Sequence, residues 1–405
     1  MKSSLHPGIE AMLAHAKKNN AGKVCLATEA DQRVWGFPSD HLAYRWLSDQ
    51  NFYPCGRILG LAGVKESCKS AYAMTLARLW MDNGGVCIYV DTENKKSPAL
   101  YRAVVGEPNL ERTLDYVAFT TEEWQSQVLE AVAFADKAES MEGVPVLFVV
   151  DSLGGVNAAE ATEKIRKEGS VNARNTTGMV KAKSHNEFFK YISEKLYMKP
   201  YTFLYVNHLS DDPMSPIQGA KRKPGGTGQD YHAVLDLWFS VVKGTPEHKV
   251  RLGYTQRMLK IQCAKNSTGA SQRRIVIPYR WSHDLETGQI DSCWFDWDAA
   301  TAILLSDDGS YGLKKRVKED CLITVSSNKY SCRALEIGGV TDSEMGAAIR
   351  TNVELREHLS DKLGINRSKI WDGLNLSDED KAVYERSAKE RVVGSNEAPQ
   401  EPEST

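Results

Sequence analysis

Residues 63–70 carry the side chains that can hold a phosphate group. Residues 57–62, just before them, favour a short strand, and residues 69–82 show the apolar spacing of a helix. In the pattern G-x-x-x-x-G-K-[ST], a loop in this context aims backbone N–H groups and the positive end of the helix dipole at phosphate oxygens. Lys69 would reach the β- and γ-phosphates, and the Ser70 hydroxyl would bind Mg²⁺. The loop therefore predicts a phosphate site formed by Gly63, Val64, Lys65, Glu66, Ser67, Cys68, Lys69 and Ser70.

Cys68 departs from that pattern, because glycine is expected at its position. Cysteine is small, and we expect the loop to accept it with a backbone at negative φ and a thiol turned away from the phosphates. A thiol beside Lys69 and a helix N-terminus is also expected to have a lowered pKa. The alternative for the whole segment is a chance combination of a glycine, a lysine and a serine in an ordinary turn.

Carboxylates follow two further apolar segments. Residues 86–91 read as a strand that continues into Glu93, and residues 144–151 form an apolar run that ends in Asp151. The carboxyl ends of parallel strands meet at one edge of a sheet, where ligands of open α/β sheets bind. A single aspartate at a strand end is commonly a turn residue. Together with the strand before the phosphate loop, these two segments make three strands in this order, which predict nucleotide binding, with Asp151 in the position that holds Mg²⁺.

The order of the apolar segments predicts the fold class. Strands are predicted at 57–62, 86–91, 144–151 and 201–207, with further apolar runs near 234–242, 258–263 and 274–279. Helices are predicted within 1–20, at 69–82, within 98–140 and at 186–198. Alternation of this kind is typical of a doubly wound α/β domain with a mostly parallel sheet.

Changes in composition along the chain predict four parts. An N-terminal helical segment occupies residues 1–34, and the α/β core occupies residues 35–304. A small C-terminal domain follows at residues 305–392. Residues 393–405 carry glutamates and prolines without Lys or Arg, which is typical of a disordered acidic tail.

Composition limits the class of protein. The 405 residues contain 51 Lys and Arg against 53 Asp and Glu, so any nucleic-acid site must be a local patch. No run approaches the roughly 20 apolar residues of a membrane helix, and the start of the chain lacks the apolar stretch of a signal peptide. The 8 cysteines form no C-x-x-C motif. We therefore expect a cytoplasmic protein with free thiols and no membrane partner.

From about residue 35 to residue 300, the chain resembles the RecA family of recombinases. Residues 56–70 resemble the family's phosphate-loop entry, and residues 84–93 its second strand, which ends in the catalytic glutamate. Residues 149–153 resemble the Walker B strand, and residues 205–208 the strand that ends in a sensor of the γ-phosphate. A histidine at that last position resembles phage recombinases of the UvsX type, which would place the protein in the host cytoplasm or nucleoid.

The resemblance implies a RecA-like P-loop ATPase core that uses ATP and Mg²⁺, with Ser70 and Asp151 at the metal. It assigns the attacking water to Glu93, stacking on adenine to Tyr101 and sensing of the γ-phosphate to His208. The late β-hairpin, residues 260–266 and 273–279, resembles the one whose lysine reaches the neighbouring subunit's nucleotide. The lysine in that place is Lys265. Departures from the family at Cys68, Ser97 and Ser267 imply slow or altered hydrolysis.

Two polar segments with glycines and cations, within 161–190 and 209–226, match the loops that touch single-stranded DNA in this family. Flexible cationic loops suit a phosphate backbone that is bound without sequence preference. Without the resemblance, two solvated surface loops are the simpler interpretation. A further cluster at 314–318 binds duplex DNA or is a solvated helix face. The residues predicted to contact DNA are Lys164, Arg166, Lys167, Arg174, Lys221, Arg222 and Lys223.

The implied function is that of a recombinase that forms a helical filament on single-stranded DNA and pairs it with homologous duplex DNA. The N-terminal segment would dock on a neighbouring core, and ATP would lie between protomers. Single-strand-binding and loader proteins are further implied partners. Two alternatives stay open: a nucleotide-gated DNA-binding scaffold with little hydrolysis, and a RecA-fold motor such as a hexameric helicase.

Overall fold

The computed structural model describes most of the chain, namely residues 7–19, 36–168, 176–197, 199–212, 215–217, 220–243, 248–249, 254–284, 286–306 and 323–365. The helices are α1 Pro7–Asn19, α2 Leu42–Ser48, α3 Lys69–Asp82, α4 Pro98–Val105, α5 Thr121–Lys137, α6 Ala159–Glu168, α7 Thr176–Leu196, α8 Gly228–His232, α9 Trp297–Leu305, α10 Asp342–Thr351 and α11 Val353–Lys362. The strands are β1 Gly36–Pro38, β2 Phe52–Pro54, β3 Ile58–Gly63, β4 Val86–Asp91, β5 Thr113–Val117, β6 Val146–Asp151, β7 Tyr201–His208, β8 Ser210–Asp211, β9 Lys221–Arg222, β10 Leu235–Val241, β11 His248–Lys249, β12 Thr255–Asn266, β13 Arg274–His283, β14 Ile290–Phe295, β15 Ile323–Ser326, β16 Lys329–Cys332 and β17 Ile337–Val340.

A large sheet in the order β14-β13-β12-β10-β3-β7-β6-β4-β5 forms the centre of the molecule. Neighbouring strands from β10 to β5 run parallel. Strands β12, β13 and β14 extend the sheet in antiparallel fashion, and β12 and β13 are the hairpin predicted from the sequence. The predicted α/β fold with a mostly parallel sheet is therefore confirmed.

Alternate residues of the central strands pack into two cores on opposite faces of this sheet. In β6, Phe148 and Val150 pack with α5 and α7, whereas Leu147 and Val149 face the core that contains α3. Strands covered on both faces read as continuous apolar runs, which explains why β3, β6 and β7 were recognisable in the sequence. The register places the carboxyl ends of these strands level, because Gly63 lies opposite His208, and Asp151 opposite Asp91.

The stretch at 98–140, predicted to be rich in helix, also contains the strand β5 between α4 and α5. β5 lies at the edge of the sheet and leaves Leu114 and Val117 exposed, so it has no continuous apolar run to reveal it. The N-terminal helix predicted within residues 1–20 is confirmed as α1. None of the described helices is both long and apolar enough to span a bilayer.

Residues 323–365 pack against the α/β core. β15, β16 and β17 form an antiparallel sheet, and α10 lies on α9. Met345 and Leu359 belong to the same buried cluster as Tyr44 and Trp297. The domain boundary at residue 305 stays a prediction, and the cluster at 314–318 and the tail at 393–405 lie outside the described residues.

The cysteines of the described ranges are unpaired, as predicted for free thiols. Most of these cysteines are buried inside the apolar cores, where a free cysteine packs as a small apolar residue. The buried ones are Cys55, Cys87, Cys263, Cys293 and Cys332.

Candidate functional site

Residues 64–68 connect β3 to α3 in a tight loop. Gly63 begins this loop, and a Cβ added there would lie 2.6 Å from both Phe239 O and Ser67 Oγ, so only glycine fits. Val64 O accepts hydrogen bonds from Ser67 Oγ and from Lys69 Nζ, each at 2.8 Å. The loop therefore folds around its own lysine and holds the ammonium at the start of α3.

Lys69 is buried, with 6% of its surface exposed. Burial lowers the pKa of its ammonium, while the negative charges of Asp151 and Glu93 raise it. Its hydrogen bonds go to loop atoms, Val64 O and Ser67 Oγ. A buried cation held by neutral groups is electrostatically suited to an anion such as phosphate.

Cys68 adopts φ 59° and ψ 26°, so the negative φ predicted for it is wrong. A residue with a Cβ in this left-handed region carries about 1–2 kcal/mol of strain. Burial raises the pKa of the Cys68 thiol to about 11, although the neighbouring Arg257 and Lys69 act in the opposite direction. The lowered thiol pKa predicted from the sequence is therefore also wrong, because the helix N-terminus was visible in the sequence but the burial of the thiol was not.

Glu93 is the centre of a cluster at the level strand ends. Ser152 Oγ donates a hydrogen bond to Glu93 Oε1 at 2.6 Å, and His208 Nε2 lies 2.7 Å from the same oxygen. Burial alone would raise the pKa of Glu93, but hydrogen bonds from Lys95, Ser152 and His208 outweigh it and lower the pKa to about 2. Glu93 is thus a fixed, ionised hydrogen-bond acceptor.

The two aspartates at strand ends have different roles. Asp151 Oδ2 accepts a hydrogen bond from the Tyr89 hydroxyl at 2.7 Å. Burial raises the pKa of Asp151, and hydrogen bonds from Ser70 and Tyr89 lower it. Asp91 instead accepts the backbone N–H groups of the turn that follows it, at 2.9 to 3.0 Å, and so fixes the position of Glu93.

The phosphate loop and the neighbouring strand ends line a cleft of about 540 Å³. The phosphate loop contributes residues 65–70, and the strand ends contribute Glu93, Asp151 and His208. The structure therefore brings the predicted catalytic and metal residues of these elements together at one sheet edge.

Other residues of this cleft were missed by sequence reasoning. Arg257 donates to Glu66 O at 2.7 Å, and the apolar part of the wall comes from Leu100, Tyr279, Trp281 and Ile290. Most of them lie on β12, β13 and β14, far along the chain from the loop, and no spacing motif connects them with it. The aromatic residues of the late hairpin, Tyr279 and Trp281, were the only signal in the sequence that could have indicated this wall.

Tyr101, the residue predicted to stack on adenine, does not belong to this wall. It is 4% exposed, and its hydroxyl lies 2.8 Å from Thr113 Oγ1. The Lys96 ammonium lies over its ring, 4.0 Å from the centroid. A ring covered in this way offers no face to a base, so the structure contradicts the stacking predicted for Tyr101.

Lys265 lines a second cleft, of about 780 Å³, together with residues 221–227, Asp236 and Trp238. Its ammonium donates to the backbone oxygens of Asp230 and Tyr231. The first cleft does not include it among its lining residues. This placement leaves the contact with a neighbouring subunit's nucleotide as a prediction.

The cations predicted to contact DNA differ in exposure. Arg166 and Lys167 are exposed on α6, and Lys221 and Arg222 are exposed on β9. The side chain of Lys164 and all of Arg174 lie outside the described residues.

The side chain of Lys223 is buried, with 2% of its surface exposed. Its ammonium pairs with Asp236 at 2.7 Å and with Asp230, and it lies close to the Tyr205 ring. The structure therefore contradicts the DNA contact predicted for Lys223, because an ammonium in a buried pair is strongly held and does not face solvent.

The chain is similar over more than half of its length to several known proteins. It is 22% identical over 245 residues to the protein RecA of Mycoplasma mobile, which covers 60% of this chain and 68% of that protein. It is 21% identical over 277 residues to the protein RecA of Streptococcus agalactiae, which covers 67% and 68%. The protein RecA of Lactococcus lactis is 23% identical over 245 residues, with 60% and 58% covered. No family model matches the chain. The chain is distantly similar to RecA proteins, and its sheet with flanking helices is a RecA-like core.

Proposed function

We propose that this protein is an ATP- and Mg²⁺-dependent DNA recombinase that forms filaments on single-stranded DNA and promotes homologous pairing and strand exchange. The observation that carries the proposal is the convergence of the phosphate loop, Glu93, Asp151 and His208 on one cleft. Distant similarity to RecA proteins, over 60% and 67% of the chain, supports it. His208 at the end of β7 further favours a phage recombinase of the UvsX type.

The cleft suits a nucleoside triphosphate with its metal. The buried Lys69 ammonium and the loop N–H groups suit phosphate oxygens, while Ser70 and Asp151 offer the hard oxygen ligands that Mg²⁺ prefers. When bound, Mg²⁺ neutralises charge on the phosphates. The apolar wall that includes Trp281 and Ile290, rather than Tyr101, is available to the base.

Hydrolysis requires a group that orients water, and Glu93 is placed for it. Its Oε1 is fixed by Ser152 and lies beside His208, so a water on the cleft side would donate a hydrogen bond to an ionised acceptor. The strain at Cys68 limits how freely the phosphate loop adapts, which favours slow hydrolysis.

DNA would bind through the exposed cations of α6 and β9, Arg166, Lys167, Lys221 and Arg222. In a filament, Lys265 would face the nucleotide of the next protomer from the second cleft. Partners would be single-stranded DNA, homologous duplex DNA, further copies of this chain, and single-strand-binding and loader proteins in the cytoplasm.

The test is ATP hydrolysis with and without single-stranded DNA, in the wild type and in Lys69→Ala. We expect hydrolysis that DNA stimulates, and its loss together with weaker ATP binding in Lys69→Ala, because the variant lacks the buried cation at the loop. Lys137→Ala, at an exposed position of α5, is the control. Unchanged ATP affinity and hydrolysis in Lys69→Ala would overturn the proposal.

Two other functions give different results. A nucleotide-gated scaffold, favoured by the strained Cys68, would bind ATP and DNA with negligible hydrolysis. A hexameric helicase would form closed rings, which electron microscopy of the protein on single-stranded DNA distinguishes from open filaments.

A further inference from the structure

The side chain of Gln229, at the start of α8, is fully buried and bonds to two other segments of the molecule. Its Nε2 donates to Pro224 O at 2.8 Å and to Gly226 O at 3.0 Å. Its Oε1 accepts from Asn207 Nδ2 at 2.8 Å. Both donors and the acceptor of this amide are therefore used, and only one orientation of the amide satisfies all three bonds.

Asn207 connects this amide to the first cleft. It is fully buried near the end of β7, and its Nδ2 also donates to Pro224 O at 2.9 Å. Its Oδ1 accepts from the backbone N–H of His208 at 2.8 Å, and the His208 ring reaches Glu93. An unbroken series of contacts thus runs from Glu93 to the carbonyl groups of Pro224 and Gly226.

Gly225 and Gly226, the glycine pair beside Gln229, have little room to move. Gly225 and Gly226 have φ of 93° and 85°, which glycine adopts without strain. A Cβ at Gly225 would lie 2.9 Å from His185 Nδ1, and one at Gly226 would lie 2.8 Å from the Ala182 Cβ. The pair is therefore clamped between Gln229 and α7.

This clamp lies where both predicted DNA loops return to the core. The exposed Lys221 and Arg222 come just before Pro224, and α7 begins directly after residues 169–175. A displacement of His208 would reach the ends of these segments through the buried amides of Asn207 and Gln229, and partial loss of a buried hydrogen-bond network is costly.

We propose that Gln229 is the positioning residue that couples the state of His208 in the nucleotide cleft to the placement of the cationic segment at residues 220–226. The inference rests on the proposed function, since it presumes that nucleotide and DNA bind at these places. Gln229 acts through Asn207, Pro224 and Gly226, and it contacts neither nucleotide nor DNA.

A purely structural role for Gln229 makes a different prediction. A structural glutamine that is replaced would lower stability and weaken DNA binding by the same factor with and without nucleotide. A coupling glutamine would change the ratio of the two affinities, because coupling is the free energy that links two sites.

The experiment compares wild type, Gln229→Met and Asn109→Leu as full-length chains. Methionine keeps the length of the side chain and removes its hydrogen bonds. Asn109 is the matched control, since it is a buried amide that bonds to Asp82 and to Val105 O away from both clefts. Affinity for a fluorescent single-stranded oligonucleotide is measured without nucleotide and with a non-hydrolysable ATP analogue. Affinity for the analogue is measured with and without DNA.

We expect the analogue to strengthen DNA binding in the wild type and in Asn109→Leu. In Gln229→Met the gain should shrink at least fivefold, with analogue affinity in the absence of DNA unchanged within twofold. The analogue's affinity in the presence of DNA should fall by the same factor as the DNA gain, because coupling is reciprocal. An unchanged gain in a folded Gln229→Met would overturn the inference. Wild-type protein that binds no analogue would instead overturn the proposed function.

If Gln229→Met does not fold, Gln229→Glu replaces it. Its carboxylate accepts from Asn207 but faces the carbonyls of Pro224 and Gly226 without a donor. Protonation restores one donor, so the gain should recover as the pH is lowered. A gain equal to that of the wild type at every pH would overturn the inference.

Discussion

At the level of single residues, Cys68 is the position where the chain departs most from a phosphate loop, and its φ of 59° makes the departure strained. We predict that Cys68→Gly is more stable to unfolding than Cys68→Ala by about 1 kcal/mol, because alanine retains the left-handed strain that glycine relieves. Both variants lose the thiol, so its packing cancels in the comparison. Urea unfolding measures the difference in the free energy of unfolding. If the alanine variant is as stable as the glycine variant, residue 68 carries no backbone strain.

Glu93 carries the prediction about catalysis. Glu93→Gln should reduce ATP hydrolysis on the order of 10²-fold or more, because an amide is a poorer acceptor for the attacking water. ATP affinity should change little, since the phosphate loop remains intact. Steady-state hydrolysis and equilibrium binding give the two values, with Glu130→Gln on the exposed side of α5 as the control. Full activity in Glu93→Gln would show that the Glu93 carboxylate has a structural role and does not orient the attacking water.

At the level of elements, β9 presents two exposed cations, while the lysine next to them is buried. Replacing Lys221 and Arg222 together by alanine should weaken binding equally for unrelated single-stranded sequences. The slope of log affinity against log salt should flatten by about 1.4, since each lost phosphate contact removes about 0.7. Salt titrations measure this slope. The control is the double variant Arg102→Ala with Lys137→Ala, which removes two exposed cations from other elements. An effect confined to one sequence would contradict contact with the DNA backbone.

Helix α7 carries a prediction about pH. Burial lowers the pKa of His185 to about 4, and Lys181 adds to the lowering while the bond to Gly225 O opposes it. The unfolded chain therefore binds a proton at His185 below about pH 6.5, and the native protein binds it only near pH 4. The free energy of unfolding should consequently fall by about 2 kcal/mol between pH 7 and pH 5 from this residue alone.

His185→Gln should flatten that dependence of stability on pH, because glutamine does not titrate. The exposed His283→Gln serves as the control and should leave the wild-type slope in place. Urea unfolding at pH 7 and pH 5 gives both slopes. If the free energy of unfolding depends on pH equally in the wild type and in His185→Gln, protonation of the buried His185 ring does not contribute to the loss of stability at low pH.

Elements with strong local signals could be predicted from the sequence. The bounds of α3 and β4 agree with prediction because helical spacing and a fully buried strand appear directly in the pattern. The edge strand β5 has no such pattern. The φ of Cys68, the cover over Tyr101 and the buried pair of Lys223 could not be predicted, because each depends on how side chains meet in the folded chain. This holds even where the partner is near in sequence, as Lys96 is to Tyr101.

At the scale of the whole molecule, the proposed nucleotide-binding cleft and the cleft beside the cationic segment lie in two different places. The first cleft lies at the carboxyl ends of β3, β4, β6 and β7. The second, with Lys265, lies beside the cationic segment that follows β7. In the filament that we propose, the second cleft of one protomer would meet the first cleft of the next protomer. The binding of nucleotide and of DNA would then depend on assembly of the protomers.

DNA strand exchange is the reaction that the proposed recombinase must perform. The wild-type protein is mixed with circular single-stranded DNA and homologous linear duplex DNA, with ATP and Mg²⁺, with a non-hydrolysable analogue and without nucleotide. We predict joint molecules with ATP and with the analogue and none without nucleotide, because nucleotide binding rather than hydrolysis organises the filament. Absence of joint molecules under all three conditions, from protein that binds both ATP and single-stranded DNA, would contradict the central claim.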